Sequence, residues 1–300
     1  MRDGDVQERR HHSLIVTRHP LVTAAWLAEH ASDASVVIVD VRWYLQGKRG
    51  IDAFTAGHVP RARFLDIDRD LSSAAGPGRP GRHPLPSADA FADVLARLGV
   101  RAESHVVAYD DAGGAQAARV WWLLRYFGHD IGSVLDGGIQ AWTRAGFALE
   151  SGEAPPSSHA PRLVLSPRGD MVVGKAEVAE LSRGARGLLL DARAPERFEG
   201  KVEPIDARAG HIPGATNAPF VQNLVEPGGV FRSRQELATH YDALGATNAK
   251  PLVAYCGSGV TACHDLLALS IAGRDDALLY EGSWSEWAGD PARPAATGKG

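Results

Sequence analysis

Residues 251–264 read Pro251-Leu-Val-Ala-Tyr-Cys256-Gly-Ser-Gly-Val-Thr261-Ala-Cys263-His264, and the fold prediction begins from this segment. A short apolar, β-prone run ends at Cys256, small residues follow it, and a helix-compatible run covers residues 262–272. A strand, a tight loop and a helix in this order point several backbone N–H groups and a helix N-terminus at one place. The sequence puts a thiol at that place.

Cys256 is the candidate nucleophile of this stretch. The thiolate is the nucleophilic form of cysteine, and a helix N-terminus or a nest of N–H donors lowers a thiol pKa from about 8.5 to roughly 3.5–7.5. Gly257 and Gly259 let the loop curl and let its backbone approach the sulfur or its cargo closely. The alternative is a buried, unreactive cysteine at a strand end, because a free cysteine usually behaves as a small apolar side chain.

Length and composition limit the classes of protein to consider. The chain has 300 residues, of which 44% are apolar and 23% charged, with a formal net charge of -4. This length suits about two domains, and the mildly acidic balance with scattered basic residues argues against nucleic-acid binding. We find neither an apolar run of the roughly 18–20 residues that a membrane span needs nor a secretory signal. We therefore expect a cytoplasmic protein with no membrane or nucleic-acid partner.

Cysteine usage supports the same expectation. Cys256 and Cys263 lie about two helical turns apart if both border one helix, which is too far for disulfide geometry. Two cysteines without other ligands at metal-binding spacing also fail to make a zinc site. We expect a reduced protein in which Cys263 is buried, and no metal.

The two halves of the chain repeat one series of motifs. Residues 37–42, 56–62, 106–110 and 135–142 recur in the same order as residues 188–193, 209–215, 252–256 and 279–287. Four matches in one order indicate an internal duplication. A proline-rich segment at 151–170 has the composition of a stiff linker, so we predict a first domain at 14–150 and a second at 171–290.

The duplication predicts the fold class and a different role for each of the two domains. Strands alternate with helices in each half, which indicates two α/β domains, each built around a mostly parallel sheet. The position equivalent to Cys256 is Asp110 in the first half, so the first domain lacks the thiol. We expect the first domain to be catalytically silent and to form the opposite wall of a cleft at the domain interface.

These motifs resemble a known family. Asp-x-Arg, Gly-His-[Ile/Val]-Pro and [Asp/Glu]-Gly-x-x-x-x-Trp in both halves, with Cys-Gly-Ser-Gly-Val-Thr in the second, are similar to the two-domain rhodanese sulfurtransferases over residues 14–290. The loop at Cys256 resembles that of 3-mercaptopyruvate sulfurtransferases more than the charged loop of thiosulfate-preferring rhodaneses. The resemblance implies two similar α/β domains, a cysteine persulfide intermediate and neither a metal nor an organic cofactor.

The reaction implied by the resemblance has two stages. Cys256 takes the sulfane sulfur of 3-mercaptopyruvate or thiosulfate, and a thiophilic acceptor such as cyanide, a small thiol or a reduced thioredoxin-like protein then removes it. Covalent storage divides one difficult transfer into two easier ones. The loop residues Gly257, Gly259, Val260 and Thr261 would surround the persulfide, and their N–H groups would stabilise its terminal sulfur.

The resemblance also implies a donor-binding arginine. Arg197 matches the arginine that grips the mercaptopyruvate carboxylate in the family, a task that suits the planar guanidinium fork. The family usually carries a second arginine shortly before the Gly-His-Ile-Pro turn, where this chain has Ile205. Arg208 is an arginine close to this position that could reach the donor instead, although its spacing from the turn differs. Thiosulfate therefore stays an alternative donor.

A proton relay is the third implied feature. Ser258 matches a family serine that relays a proton with a histidine and an aspartate of the first domain, and His83 and Asp68 fit those two positions. A histidine oriented by a carboxylate is a reasonable proton shuttle for a thiol donor. An exposed loop histidine is the alternative interpretation of His83. His58 and His211 recur in both halves and are expected to be structural.

Two other functions compete with an enzymatic sulfurtransferase. A cysteine phosphatase or arsenate reductase needs a Cys-x5-Arg loop, and the position of that arginine holds Ala262. A persulfide carrier without turnover, which delivers sulfur to a protein partner, needs the same activated Cys256 and is not separated from an enzyme by the sequence.

Overall fold

The computed structural model describes residues 19–76, 81–154, 159–184, 186–226 and 228–299. Its first half contains strands β1 (Leu21–Val22), β2 (Val36–Asp40), β3 (Arg63–Phe64), β4 (His105–Tyr109) and β5 (Gly132–Leu135). The helices of this half are α1 (Ala24–His30), α2 (Gly50–Ala56), α3 (Ile67–Asp70), α4 (Ala88–Arg97), α5 (Ala117–Tyr126) and α6 (Gly138–Arg144).

The second half repeats this succession of elements. Its strands are β6 (Val172–Val173), β7 (Leu188–Asp191), β8 (Thr216–Asn217), β9 (Leu252–Tyr255) and β10 (Leu278–Tyr280). Its helices are α7 (Lys175–Ser182), α8 (Pro195–Phe198), α9 (Arg234–Ala243), α10 (Ala262–Ala272) and α11 (Ser283–Gly289). Short 3-10 turns at Gly169–Met171 and Phe220–Asn223 complete it.

Each half forms a five-stranded parallel sheet with the same strand order. The orders are β1-β5-β4-β2-β3 and β6-β10-β9-β7-β8, and every strand pair is parallel. Helices cover these sheets, as parallel sheets require. The predicted α/β class and the internal duplication are confirmed by this repeated topology.

The central strands are apolar because they are buried. In β2 and β4, Val36 pairs with His105 and Asp40 pairs with Tyr109, and nearly every side chain between them is buried. The sequence pattern predicts a helix over 20–31, whereas α1 begins only at Ala24. Thr23 caps it by accepting a hydrogen bond from Trp26 N at 3.1 Å, and the two residues of β1 add an edge strand beside β5.

The two halves meet through the helices that follow the equivalent loops. Helix α5 follows the loop after Asp110, α10 follows the loop after Cys256, and the two helices pack against each other. A continuous cluster of buried side chains passes through this contact, with Trp121 on α5 and Leu266 on α10 among its members. Because the two loops precede these helices, the packing brings the first half beside the Cys256 loop. In the described part of the chain, no helix is long and apolar enough to cross a membrane.

Candidate active site

Cys256 stands at the carboxyl end of β9, in a loop that closes around its sulfur. The backbone N–H of Gly259 donates to Cys256 Sγ at 3.2 Å. Gly259 adopts φ +81°, and a Cβ there would lie 2.6 Å from the carbonyl oxygen of Glu281, so only glycine fits. The loop is held by α11, since Trp284 N donates to Cys256 O and Ser285 N donates to Gly257 O, each at 2.9 Å.

A cavity of about 620 Å³ opens over this loop, and both halves of the chain line it. The second half contributes Cys256, Gly257, Ser258, Val260, Thr261, Arg197, Ile205 and Phe220, among others. The first half contributes Trp43, Leu45, Ile67, Asp68, Arg82, His83 and Gln116, among others. Four of the predicted loop residues therefore face the cavity, and Gly259 takes part through its N–H group. Cys256 is 1% exposed, so it is reached from the cavity and not from the outer surface.

The structure brings together the three residues of the predicted relay. His83 Nδ1 lies 2.7 Å from Ser258 Oγ, and His83 Nε2 lies 2.9 Å from Asp68 Oδ1. Asp68 also accepts a hydrogen bond from Trp43 Nε1 at 3.0 Å, which fixes the carboxylate. His83 is buried, so the alternative of an exposed loop histidine is wrong.

The hydrogen bonds of His83 define the direction in which a proton can move. A carboxylate only accepts, so Nε2 carries the proton that bonds Asp68, and Nδ1 is left to accept the Ser258 hydroxyl. Burial lowers the pKa of His83 below its ordinary value of 6.5, although Asp68 opposes the shift. The imidazole is therefore neutral at pH 7 and able to accept a proton through Ser258.

Arg197 lines the cavity and is anchored by two carboxylates. Its Nη2 lies 2.7 Å from Glu203 Oε1 and 3.1 Å from Asp206 Oδ2. Burial raises the pKa of Glu203, but the bonds from Arg197 and from two backbone N–H groups outweigh it, and the net shift is downward. These anchors hold the guanidinium at the cavity wall, as expected for a donor-binding group.

Arg208, the alternative considered for the second arginine, does not take its place. Arg208 donates to the backbone carbonyls of Trp287, Ala288, Asp290 and Arg293, so it ties the end of α11 to the segment that follows and does not reach the cavity. Ile205 does face the cavity, at the position that the resemblance assigns to an arginine.

Sequence reasoning missed two arginines of the first half, Arg82 and Arg119. Arg82 precedes His83 and forms an ion pair with Asp206 across the domain boundary. Arg119, on α5, is 0% exposed and bridges two carbonyls, donating from Nη1 to Gly259 O and from Nη2 to His83 O at 3.1 Å each. The available signals were the adjacency of Arg82 to His83 and the place of Arg119 in the helix after Asp110.

Asp110 fills the position in the first half that the thiol has in the second. Its carboxylate accepts backbone N–H groups from Ala112, Gly114, Gln116 and Ala117 at 2.8 to 2.9 Å. Burial raises the pKa of Asp110, against the effect of these four bonds. A fixed carboxylate therefore occupies the cradle that could otherwise hold an anionic sulfur, which agrees with a silent first half.

Several conspicuous residues lie outside the site. Cys263 is a free, buried thiol whose pKa burial raises to about 12. His58 and His211 stack on phenylalanine rings and bond backbone carbonyls, at 2.9 and 2.7 Å, so they stabilise equivalent turns. Within the described residues, no cluster of three or more histidine, cysteine or acidic side chains is arranged to hold a metal ion.

Comparisons with known proteins agree with this geometry. The family model of the rhodanese-like domain matches residues 23–145 and 175–290. The chain is 46% identical to the probable 3-mercaptopyruvate sulfurtransferase of Pseudomonas aeruginosa, with 93% of this chain and 98% of that protein covered. It is 40% identical to human 3-mercaptopyruvate sulfurtransferase and 36% identical to bovine thiosulfate sulfurtransferase, with 89% of this chain and 91% of each relative covered.

A solved structure gives the same result. The crystal structure of SseA from Escherichia coli, described as a 3-mercaptopyruvate sulfotransferase with the rhodanese fold, superposes with a TM-score of 0.78 and 34% identity. The superposition covers 90% of this chain and 100% of SseA. The predicted resemblance to two-domain rhodanese sulfurtransferases is confirmed, and with two matched segments in tandem this chain belongs to the rhodanese family.

Proposed function

We propose that this protein is a sulfurtransferase that transfers sulfur from 3-mercaptopyruvate to a thiophilic acceptor through a persulfide on Cys256, and that it uses thiosulfate less well. The observation that carries the proposal is the chain of hydrogen bonds from Ser258 through His83 to Asp68 at the mouth of the Cys256 loop. Relatives named as 3-mercaptopyruvate sulfurtransferases and as thiosulfate sulfurtransferases support the reaction class.

The first stage moves one sulfur atom and one proton. The Cys256 thiolate attacks the thiol sulfur of 3-mercaptopyruvate, the S–S bond forms, and the C–S bond breaks with its electron pair left on the methylene carbon. The thiol proton leaves the sulfur and is delivered to that carbon, so the products are the Cys256 persulfide anion and pyruvate. Ser258 and His83 provide a route for this proton, because neutral His83 accepts it and returns it.

The second stage returns the thiolate. Cyanide attacks the outer sulfur and the S–S bond breaks. Thiocyanate departs, and Cys256 is again a thiolate. With a thioredoxin-like dithiol, one thiol takes the sulfur, the second displaces it as hydrogen sulfide, and the dithiol becomes a disulfide. The N–H of Gly259, which bonds Sγ, is placed to stabilise the anionic sulfur in both stages.

The two donors differ in whether a proton must be moved during the first stage, and the donor preference follows from this difference. Thiosulfate carries no proton on its outer sulfur, and sulfite leaves as a stable anion, so its transfer gains nothing from a relay. A serine–histidine–aspartate chain, here with its serine and histidine buried, contributes only where a proton must be moved. Arg197 adds a group that suits the carboxylate of 3-mercaptopyruvate.

We further propose a reducing, cytoplasmic setting and a thioredoxin-like protein as one acceptor. Two free cysteines, one of which is the proposed catalytic thiolate, suit a compartment that keeps thiols reduced.

Mass spectrometry and kinetics test the proposal. The intact protein treated with 3-mercaptopyruvate should gain one sulfur atom, and Cys256→Ser should gain none. Steady-state assays with cyanide should give a higher kcat/KM for 3-mercaptopyruvate than for thiosulfate. A persulfide that survives Cys256→Ser refutes the nucleophile, and loading without turnover on any acceptor would favour a persulfide carrier.

A further inference from the structure

The aspartate of the relay lies nearer the surface than its histidine partner. The Asp68 side chain is 63% exposed, whereas the His83 side chain is 10% exposed. A hydrogen bond made in contact with water contributes little net free energy, because solvent replaces it easily. The bond from His83 Nε2 to Asp68 Oδ1 at 2.9 Å therefore needs a further group that holds the carboxylate in place.

Trp43 meets this need among the residues that the structure describes. Its indole Nε1 donates to Asp68 Oδ2 at 3.0 Å, while His83 occupies Oδ1. Each oxygen of the carboxylate thus receives one N–H group, and the two bonds together fix its rotation. The indole ring also stands perpendicular to the imidazole, with ring centroids 6.0 Å apart and ring planes at 86°. Trp43 therefore contacts both members of the histidine–aspartate pair.

The fold holds Trp43 from both sides along the chain. The preceding residue, Arg42, is buried and donates to Asp40 Oδ2 at 2.6 Å. The following residue, Tyr44, donates from its hydroxyl to Asp111 Oδ2 at 2.5 Å. The indole itself packs against the continuous cluster of buried apolar side chains. A side chain held in this way presents its N–H group at a fixed place, as a positioning group must.

The loop of the first half that lacks the thiol contributes to this support. Asp111 directly follows Asp110, the residue equivalent to the nucleophile. The backbone carbonyl of Asp111 accepts from Gln140 Nε2 at 2.7 Å, so the loop is tied to α6. Through the Tyr44 hydroxyl, this loop anchors the segment that carries Trp43.

We infer that Trp43 is a positioning residue of the sulfur transfer, which keeps the Asp68 carboxylate on His83. The inference rests on the proposed function for the role of the relay. With Asp68 in place, the imidazole proton stays on Nε2 and Nδ1 accepts from Ser258. Without the indole N–H, Asp68 turns toward water, and Nδ1 then carries the proton in part of the molecules. That tautomer of His83 cannot accept a proton through Ser258.

The first test measures the tautomer directly. The ¹⁵N chemical shifts of a histidine ring show which nitrogen carries the proton, and the His83 signals are identified by their loss in His83→Gln. At about pH 7.5, the full chain should show the proton on Nε2 alone, and Trp43→Phe should show a mixture of both tautomers. Trp142→Phe is the matched control, because it also loses an indole bond, from Nε1 to Ala148 O at 2.9 Å, outside the cavity lining. It should keep the wild-type tautomer.

The second test measures turnover with both donors. In Trp43→Phe, which keeps an aromatic ring, we expect kcat/KM for 3-mercaptopyruvate to fall about tenfold, since a misplaced catalytic group is costly. Thiosulfate turnover should change less than about twofold, which shows that the variant is folded with an intact thiol. If Trp43 acts only through Asp68, Trp43→Phe should cost less than about twofold more in an Asp68→Ala background.

Two outcomes overturn the inference. One is a wild-type tautomer of His83 in Trp43→Phe. The other is a loss of 3-mercaptopyruvate turnover that multiplies in full with the loss caused by Asp68→Ala. A failure of the proposed function has a different signature, namely equal losses with both donors in Ser258→Ala. The tautomer in Trp43→Phe still decides in that case whether Trp43 positions His83, since it does not depend on sulfur transfer.

Discussion

His83 Nδ1 and Ser258 Oγ lie 2.7 Å apart although 175 positions of sequence separate the two residues. The pair exists only because α5 and α10 pack together and bring the first half against the Cys256 loop. In the proposed relay, the half without a thiol supplies the histidine and the aspartate. Under this proposal, the first half acts on protons and charge in the cavity that both halves line.

Removing the relay should lower the activity with 3-mercaptopyruvate much more than the activity with thiosulfate. In Ser258→Ala and His83→Gln, we expect kcat/KM for 3-mercaptopyruvate to fall about 100-fold or more, because general acid–base catalysis contributes roughly 10²–10⁴-fold. Thiosulfate turnover should fall less than about fivefold, since no proton moves in its first stage. Thiosulfate thus serves as the control for folding and for an intact thiol in each variant. Equal losses with both donors would contradict a relay and favour a packing role.

The relay should also be visible as a pH dependence. Burial lowers the pKa of His83 below 6.5, so the neutral, proton-accepting imidazole persists to lower pH than in a free histidine. The ratio of kcat/KM for 3-mercaptopyruvate to that for thiosulfate removes the contribution of Cys256, which both donors share. We expect this ratio to be constant from pH 6.5 to about 7.5, below the range near 8.5 in which the donor thiol itself ionises, and to decrease as the pH falls below 6.5. His83→Gln should abolish the decrease, and a midpoint above 6.5 would contradict the assignment.

Arg119 should act through geometry rather than through charge alone. It is fully buried, and among the described residues it forms no ion pair, so its fork is committed to the carbonyls of Gly259 and His83. A lysine keeps the charge but cannot span two carbonyls. We therefore expect Arg119→Lys and Arg119→Met to lower kcat with 3-mercaptopyruvate by a similar factor, about tenfold or more, since small misplacements of a catalytic group are costly.

A purely structural Arg119 would behave differently. The melting temperature of each variant would fall while kcat, measured well below that temperature, stayed near the wild-type value. Full rescue of kcat by Arg119→Lys would likewise show that charge, and not the bridge between the two carbonyls, is what the site requires.

Local signals in the sequence predicted the fold and the strand–loop–helix setting of the candidate nucleophile. The apolar run ending at Cys256, its small-residue loop and the helix at 262–272 are all short-range features, and the structure reproduces the helix at Ala262–Ala272. The order of repeated motifs predicted two equivalent sheets, because each motif is itself a short segment that can be read along the chain. Long-range features behaved differently, because the relay was accessible only through the family resemblance and not through spacing.

The contacts that sequence reasoning missed depend on how the two halves dock. Arg82 and Arg119 are ordinary arginines in their own segments, one in a loop and one on a helix. Their roles arise from partners in the other half, namely Asp206 and the carbonyl of Gly259. Arg208 failed as a substitute for the opposite reason. It lies close in sequence to the expected position, but its side chain is committed to carbonyls at the end of α11.

The loop around the sulfur should tolerate no side chain at Gly259. Gly259 and Gly146 share nearly the same left-handed backbone, with φ +81° and +82°, so alanine at either position incurs the same strain of roughly 1–2 kcal/mol. They differ in space: a Cβ at Gly259 would lie 2.6 Å from Glu281 O, whereas nothing lies within 4 Å of a Cβ at Gly146. Gly259→Ala must therefore displace the N–H that donates to Cys256 Sγ, and we expect sulfur loading from either donor to slow about 100-fold. Gly146→Ala should load sulfur at the wild-type rate while losing, in denaturant titrations, only the stability that the shared backbone strain accounts for. Loading of Gly259→Ala at the wild-type rate would show that this N–H does not stabilise the anionic sulfur.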